Sequence, residues 1–232
     1  VHGVIKDPID DEFITLMKNH DVTYMPTLTS YDHYFELFKG ELKFTEFEQQ
    51  YSHNEIISSY TTLMNNVDKT DQMFKMFLQF VPRVDDTEEE LASLSEQGRN
   101  IVKQLQGIFS SKIVTIQKNN LNKMVDAGIN VAFGTDAGNP GTLHATSVYG
   151  EFLAWQQAGI SNKEILKAAT FGNAKALNLD DQIGVISTEK YANFVVLNDN
   201  PYAKLNTLKE PLMTVKRGKL ISNTQEKNYV KR

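Results

Sequence analysis

The stretch Gly134-Thr135-Asp136-Ala137-Gly138 directly follows the apolar run Ile129-Asn130-Val131-Ala132-Phe133. The apolar run is typical of a buried strand, and the glycines on either side of Asp136 indicate a loop. Asp136 is therefore predicted to lie where a strand ends and a loop begins, the position at which α/β enzymes keep catalytic side chains. The alternative interpretation is that Asp136 only caps the segment that follows it.

Length and hydropathy predict a globular protein. The chain has 232 residues, of which 41% are hydrophobic, enough for one large domain or a domain with a small appendage. Its mean hydropathy is -0.38, and no apolar run approaches the roughly 20 residues that cross a bilayer. We therefore expect a soluble protein with no membrane partner. The first eight residues show no signal peptide, which leaves a cytoplasmic and an exported location both open.

Charge and cysteine content exclude several classes of function. The chain has 24 Lys and Arg against 29 Asp and Glu, a net charge of -5, and so no basic surface for a phosphate backbone. Nucleic acid is not expected as a partner. The absence of cysteine excludes disulfides, thiolate metal sites and a cysteine nucleophile. Any metal must be held by His, Asp or Glu.

The half of the chain before Asp136 is predicted to be largely helical. A helix over residues 7–20 is followed by a β-prone segment that Pro26 interrupts, which predicts a strand ending at Pro26-Thr27-Leu28. Residues 31–125 are predicted to be a helical insertion. Within it, Thr87-Glu88-Glu89-Glu90 fits a capping box that begins one long helix. A further helix ends at Gly128, just before the strand that leads to Asp136.

One aromatic and methionine-rich stretch of the insertion, residues 73–80, allows more than one interpretation. It either packs the helices of the insertion or forms an apolar lid or an oligomer face. A homo-oligomer therefore stays open as a partner.

After Asp136, helices give way to short strands. The predicted helices cover residues 144–158, a segment opened by the capping box Ser161-Asn162-Lys163-Glu164, and residues 172–178. The predicted strands cover residues 184–187, 194–197, 213–216 and 219–221. Residues 223–232 are polar and are predicted to be a loose tail.

Several short motifs follow one another in a distinctive order. They are Val1-His2-Gly3, Asp10-Asp11-Glu12, Pro26-Thr27-Leu28, Gly134 to Gly138, Ala168-Ala169-Thr170 with Asn173-Ala174-Lys175-Ala176-Leu177, and Ile183-Gly184-Val185-Ile186 with Tyr191 to Leu197. In this order the chain resembles the C-terminal part of the amidohydrolase superfamily, in its branch of imidazolonepropionase-like and prolidase-like metal-dependent hydrolases. Asn193 stands where the family usually has an aspartate.

The resemblance implies an α/β fold: the C-terminal part, about strands six to eight, of a TIM (β/α)₈ barrel, with a small β-sandwich portion at the C-terminus. His2 would end strand six, Pro26-Thr27-Leu28 strand seven and Asp136 strand eight. Residues 1–182 would be the barrel part with the insertion, and residues 183–232 part of the sandwich and the tail.

The resemblance also implies a divalent metal site, with one or two zinc-like ions and with His2 and Asp136 as ligands. Asp136 would additionally carry the proton during hydrolysis, and His144 and His33 would contact a small-molecule substrate. For each histidine a structural or surface role is the alternative, and Glu151 is interpreted as structural. The family also uses a His-x-His on strand one, which this sequence lacks. We therefore expect either a fragment of a protein nearly twice as long or a chain from which the other strands were lost, for example by cleavage. A complementing N-terminal half stays open as a partner, beside a homo-oligomer.

The resemblance thus implies a metal-dependent hydrolase that cleaves a carbon-nitrogen bond of a small cyclic amide or a dipeptide-like substrate, with metal-activated water as the nucleophile. The alternative hypothesis is a non-catalytic barrel remnant that serves as a binding or assembly module.

Overall fold

The computed structural model describes residues 2–221. Residue 1 and residues 222–232, which include the predicted tail, lie outside the described part. The α-helices are α1 (Asp11–Asn19), α2 (Leu28–Lys39), α3 (Glu46–Tyr51), α4 (Asn54–Asn65), α5 (Gln72–Phe80), α6 (Glu88–Leu91), α7 (Glu96–Gln106), α8 (Ser111–Asp126), α9 (Ser147–Gln157), α10 (Asn162–Lys167) and α11 (Asn173–Ala176). The strands are β1 (Phe194–Val196), β2 (Met213–Lys216) and β3 (Lys219–Ile221). None of the helices in residues 2–221 is long and apolar enough to span a membrane.

The two strands predicted around the site are present only as one parallel bridge, between Tyr24 and Val131. The amide of Tyr24 donates to Asn130 O at 2.9 Å, and the amide of Ala132 donates to Tyr24 O at 2.9 Å. Pro26 has no N–H with which to extend the ladder. The prediction of a strand through Leu28 is therefore wrong, because α2 begins at that residue.

The C-terminal strands form one antiparallel sheet in the order β1-β2-β3. Arg217 and Gly218, both with positive φ, make the tight turn between β2 and β3 that such hairpins require. The predicted strand over residues 184–187 is wrong. Gly184 instead lies so close to α11 that an added Cβ would be 2.7 Å from the Cβ of Ala174, and this close packing holds the segment on the helix surface.

Two hydrophobic cores divide the helices. The first surrounds the fully buried Trp155 and contains residues of α1, α8, α9 and α10 together with Val131 and Phe133. The second lies among α2 and α5–α7, around Phe38 and Phe109, whose ring centroids are 5.7 Å apart. Phe74, Phe77, Leu78 and Phe80 of α5 pack against it. This contact supports the packing interpretation of residues 73–80.

Helix caps explain where the sequence prediction holds and where it fails. The capping box at Thr87 and Glu90 is confirmed. The single long helix predicted to follow is wrong, because the Ser95 side chain accepts from the amide of Gly98 and begins α7 as a new helix. Gly128, with φ 71, follows α8 as predicted.

Candidate functional site

Asp136 lies just beyond the Val131 bridge and has φ 54, in the left-handed region that aspartate tolerates better than most residues. Its described contacts fall on Oδ2. Ser30 Oγ donates to that oxygen at 3.3 Å, and Asn139 Nδ2 also donates to it. The side chain is 31% exposed. A carboxylate is thus held at the surface by two neutral donors.

His2 faces this carboxylate. Its Nε2 lies 3.6 Å from Asp136 Oδ2, and its Nδ1 lies 2.8 Å from Thr27 Oγ1. Because the Thr27 hydroxyl engages one ring nitrogen, the other is directed at Asp136. The chain therefore brings together the two residues predicted to ligate a metal, although they are far apart in the sequence.

Thr27 has φ 52 and ψ 55, a left-handed conformation that is unfavourable for a β-branched residue. It is the N-cap of α2, yet its side chain makes no capping hydrogen bond. The amides of Leu28 and Thr29 donate instead to Glu151 Oε1 at 2.9 Å and Oε2 at 2.7 Å. Glu151, which lies on α9, thus accepts hydrogen bonds from the first two amides of α2.

Glu151 is fully buried. Burial raises the pKa of its carboxyl, while the N–H groups of Thr29, Trp155 and Leu28 act in the opposite direction. Trp155 Nε1 donates to Oε1 at 2.7 Å. Three N–H donors on one carboxylate hold Glu151 in a single position, which agrees with its interpretation as a structural residue.

The loop after Asp136 is anchored to helices α2 and α4, through His33 of α2 and Tyr60 of α4. The amide of Gly141 donates to Tyr60 Oη at 2.8 Å, and His33 Nδ1 donates to Gly141 O at 2.9 Å. Gly141 has φ 85, and an added Cβ would lie 2.9 Å from the Cβ of His33. Contacts with α2 and α4 therefore fix the path of this loop.

His33 and His144 lie beside the loop but make no described contact with Asp136. His33 is partly buried and engaged with Gly141 through Nδ1. His144 is exposed, and its Nε2 would lie 3.6 Å from a Cβ added to Gly138. His20 and His53 are both exposed.

The pair His2 and Asp136 fits part of a divalent metal site. Two ligand atoms on one tetrahedral zinc ion, each at roughly 2.1 Å, are about 3.4 Å apart, close to the 3.6 Å between His2 Nε2 and Asp136 Oδ2. Imidazole nitrogen and carboxylate oxygen are both zinc ligands. Within residues 2–221, no three or more His, Asp or Glu side chains lie close enough together to hold a metal ion.

Three polar residues of this site, Thr27, Ser30 and Asn139, were assigned no role from the sequence. Ser30 follows Thr27 by three residues, and Asn139 follows Asp136 by three, a spacing that lets short polar side chains reach a neighbouring group. Nothing in the sequence signals that Ser30 and Asp136 meet, because that contact depends on the packing of α2.

A separate cavity of about 330 Å³ lies at the start of the segment that leads to Asp136. Gly128, Ile129, Asn130 and Val131 line it, together with Lys18, Asp21, Glu164, Lys167 and Lys175 and further residues, but Phe133 and Asp136 do not. Lys175 is paired with Asp21 at 2.8 Å and Lys167 with Glu164 at 3.2 Å. The cavity is distinct from the candidate site.

Comparison with known proteins adds a family match and several relatives. The sequence model of the amidohydrolase family matches residues 45–221. An imidazolonepropionase of Picrophilus torridus is 30% identical over 86 residues, which are 37% of this chain and 22% of that protein. An imidazolonepropionase of Bacteroides fragilis is 40% identical over 80 residues, 34% of this chain and 19% of that protein. A 5-methylthioadenosine/S-adenosylhomocysteine deaminase of Teredinibacter turnerae is 30% identical over 84 residues, 33% and 19% of the two chains. The matches thus span about a fifth of these relatives' length.

Solved structures share the fold. A Xaa-Pro dipeptidase with bound methionine in its active site superposes with a TM-score of 0.53 at 19% identity, over 93% of this chain and 38% of that one. The structure of an amidohydrolase superposes with a TM-score of 0.52 at 20% identity, again over 93% and 38%. At these identities the likeness concerns the fold alone.

Proposed function

Because the chain belongs to the amidohydrolase family, we propose that it is the C-terminal part of a metal-dependent hydrolase that cleaves a carbon-nitrogen bond in a small cyclic amide or a dipeptide-like substrate. The observation that carries the proposal is the 3.6 Å separation of His2 Nε2 and Asp136 Oδ2. The family supports hydrolase chemistry. The barrel position, the substrate and the metal ligands belong to the proposal.

His2 and Asp136 would hold a divalent ion such as zinc through these two atoms. Such an ion, when bound, makes water nucleophilic near neutral pH and polarises the carbonyl under attack. Further ligands would come from a complementing N-terminal half. The number of ions, one or two, depends on those ligands.

Asp136 would also move the proton. Ser30 and Asn139 both donate to Oδ2, so Oδ1 is the oxygen suited to accept the proton of the attacking water and return it to the leaving nitrogen. The two neutral donors keep the carboxylate oriented without adding a charge. His33, held at Nδ1 by Gly141, and the exposed His144 would contact the substrate from the loop side.

A second hypothesis, a binding or assembly module without catalysis, is supported by the C-terminal sheet. All three residues of β1 are exposed, as is Ile186 at 88%. An apolar sheet of this kind needs a covering surface. On this hypothesis, that surface belongs to a second polypeptide, and the site at Asp136 is a remnant.

Metal analysis of the full-length protein separates the two hypotheses. We expect about one or two zinc-like ions per chain, and His2→Gln should weaken zinc affinity by at least roughly 10-fold, since even residues behind the ligands matter that much. His53→Gln, at an exposed helix cap without a side-chain bond, serves as the matched control. Wild-type affinity in His2→Gln would remove His2 from the metal site.

A further inference from the structure

The start of α2 is capped by a residue from another helix. The first amides of a helix lack partners within it, and at α2 those of Leu28 and Thr29 donate to the two oxygens of Glu151 at 2.9 and 2.7 Å. A carboxylate is also favourable there because the helix dipole is positive at this end. Glu151 therefore does what an N-cap side chain ordinarily does.

The consequence falls on Thr27, the N-cap residue itself. A threonine in this position usually accepts a hydrogen bond from one of the first helical amides. Here its side chain makes no such bond, and its Oγ1 lies 2.8 Å from His2 Nδ1. Because Glu151 accepts from the first amides of α2, the Thr27 hydroxyl is available to His2.

Glu151 is fixed firmly enough for this task. It is fully buried, and Trp155 Nε1 holds Oε1 at 2.7 Å from one turn further along α9. Helices α2 and α9 also approach closely, since a Cβ added to Gly150 would lie 3.4 Å from Thr29 Cγ2. Glu151 and the first turn of α2 therefore form one rigid unit.

We propose that Glu151 is a positioning residue that acts through Thr27. By taking over the cap of α2, it directs the Thr27 hydroxyl to His2 Nδ1, so that Nε2 faces Asp136 and is the ring nitrogen that would bind the metal. Fixing the tautomer of an imidazole through its second nitrogen is how proteins prepare histidine to bind a metal. The metal-related part of this inference rests on the proposed function, whereas the orientation of His2 does not.

The test uses the full-length protein with Glu151→Gln, Thr27→Val and the double variant. In metal-free protein labelled with ¹⁵N-histidine, His2→Gln assigns the His2 ring signals. We expect both single variants to change the tautomer ratio of His2 from its wild-type value toward the ratio of free imidazole. Thr27→Ser, which keeps the hydroxyl, should retain the wild-type signals. Zinc affinity, measured by chelator competition, should fall by roughly 10-fold or more in each single variant.

The double variant distinguishes positioning from mere structural support. Because Glu151 acts through Thr27, Glu151→Gln should change zinc affinity less than about 2-fold in the Thr27→Val background, well below the outer-shell effect expected in the wild type. A Glu151→Gln protein that melts earlier but keeps the His2 signals overturns the proposal. If that variant does not fold, unchanged His2 signals in Thr27→Val overturn it equally.

The measurements distinguish a failure of the proposed metal-dependent function from a failure of the positioning role of Glu151. If His2→Gln keeps full zinc affinity, the metal role of His2 falls, while the His2 signals in the other variants still decide the positioning role. If His2→Gln loses zinc and Thr27→Val leaves the His2 signals unchanged, the metal site stands and the positioning role falls.

Discussion

Asn173 closes the free edge of the segment that leads to Asp136 by pairing with both backbone groups of Phe133. Its Oδ1 accepts from the Phe133 amide at 2.7 Å, and its Nδ2 donates to Phe133 O at 3.0 Å. The side-chain amide takes the place that a neighbouring strand would fill, so these backbone groups are not left unpaired inside the protein.

Asn173→Ala should destabilise the protein by about 1–3 kcal/mol, because it leaves the amide and carbonyl of the buried Phe133 without partners. The change in unfolding free energy, from urea denaturation of the full-length protein, checks this. Faster hydrogen exchange at the Phe133 amide should accompany it. Wild-type stability and exchange in the variant would contradict the edge-closing role.

Asn120→Ala should also destabilise, again by roughly 1–3 kcal/mol. The Asn120 side chain accepts from Ile9 N at 2.9 Å and donates to Val4 O and Asp7 O at 2.9 and 3.0 Å, and so anchors the segment between His2 and α1. Asn119→Ala is the control, since Asn119 is an exposed neighbour on the same helix. Equal melting of the two variants would show that the anchor contributes nothing.

Gly141→Ala should cost about 1–3 kcal/mol of stability, because φ 85 disfavours a side chain and the new Cβ would lie 2.9 Å from that of His33. Since this loop follows Asp136, activity should fall as well. Gly107→Ala is the comparison: Gly107 has φ -76, and an added Cβ would meet nothing closer than 3.4 Å. Thermal melting of both variants tests the difference, and a Gly141→Ala protein as stable as Gly107→Ala would contradict it.

The hydroxyl of Tyr24 should lose its proton at a higher pH than an ordinary tyrosine. Burial raises the pKa of its hydroxyl to about 12, with the backbone of Val4 acting against this. Since the folded state holds the proton more tightly, Tyr24 contributes stability that is full below about pH 10 and is lost as pH rises through 12, about 3 kcal/mol in all. Absorbance at 295 nm of wild type minus Tyr24→Phe measures this, and a midpoint near pH 10 would contradict it.

Local sequence signals predicted local structure well. The capping box at Thr87, the glycine at 128 and the hairpin around Arg217 each depend on neighbouring residues, and the structure has all three. Where the prediction is wrong, as at Leu28, the structure depends on contacts between residues that are far apart in the sequence. The start of α2 at Leu28 depends on Glu151, which lies on another helix and has no sequence signal linking it to Thr27.

In the candidate site, too, features that depend on a local motif are predictable from the sequence, whereas contacts between distant residues are not. The motif around Asp136 and its family resemblance identified the carboxylate, and the structure places His2 beside it. The roles of Asp136, His2, His33 and His144 stay predictions. The sequence signals no contact of Thr27 or Ser30 with the site, because these contacts arise from the packing of α2 against His2 and Asp136.

The role of Asp136 as proton carrier at a metal site is tested most directly by the hydrolysis rate of Asp136→Asn in the full-length protein, against a panel of cyclic amides and Xaa-Pro dipeptides. Asp126→Asn, an exposed position at the end of α8, is the matched control. We expect Asp136→Asn to fold normally and to lose at least about 100-fold in kcat, as is usual for loss of a general acid-base group, while the control keeps wild-type turnover. Wild-type turnover in a folded Asp136→Asn protein would contradict the assignment of Asp136.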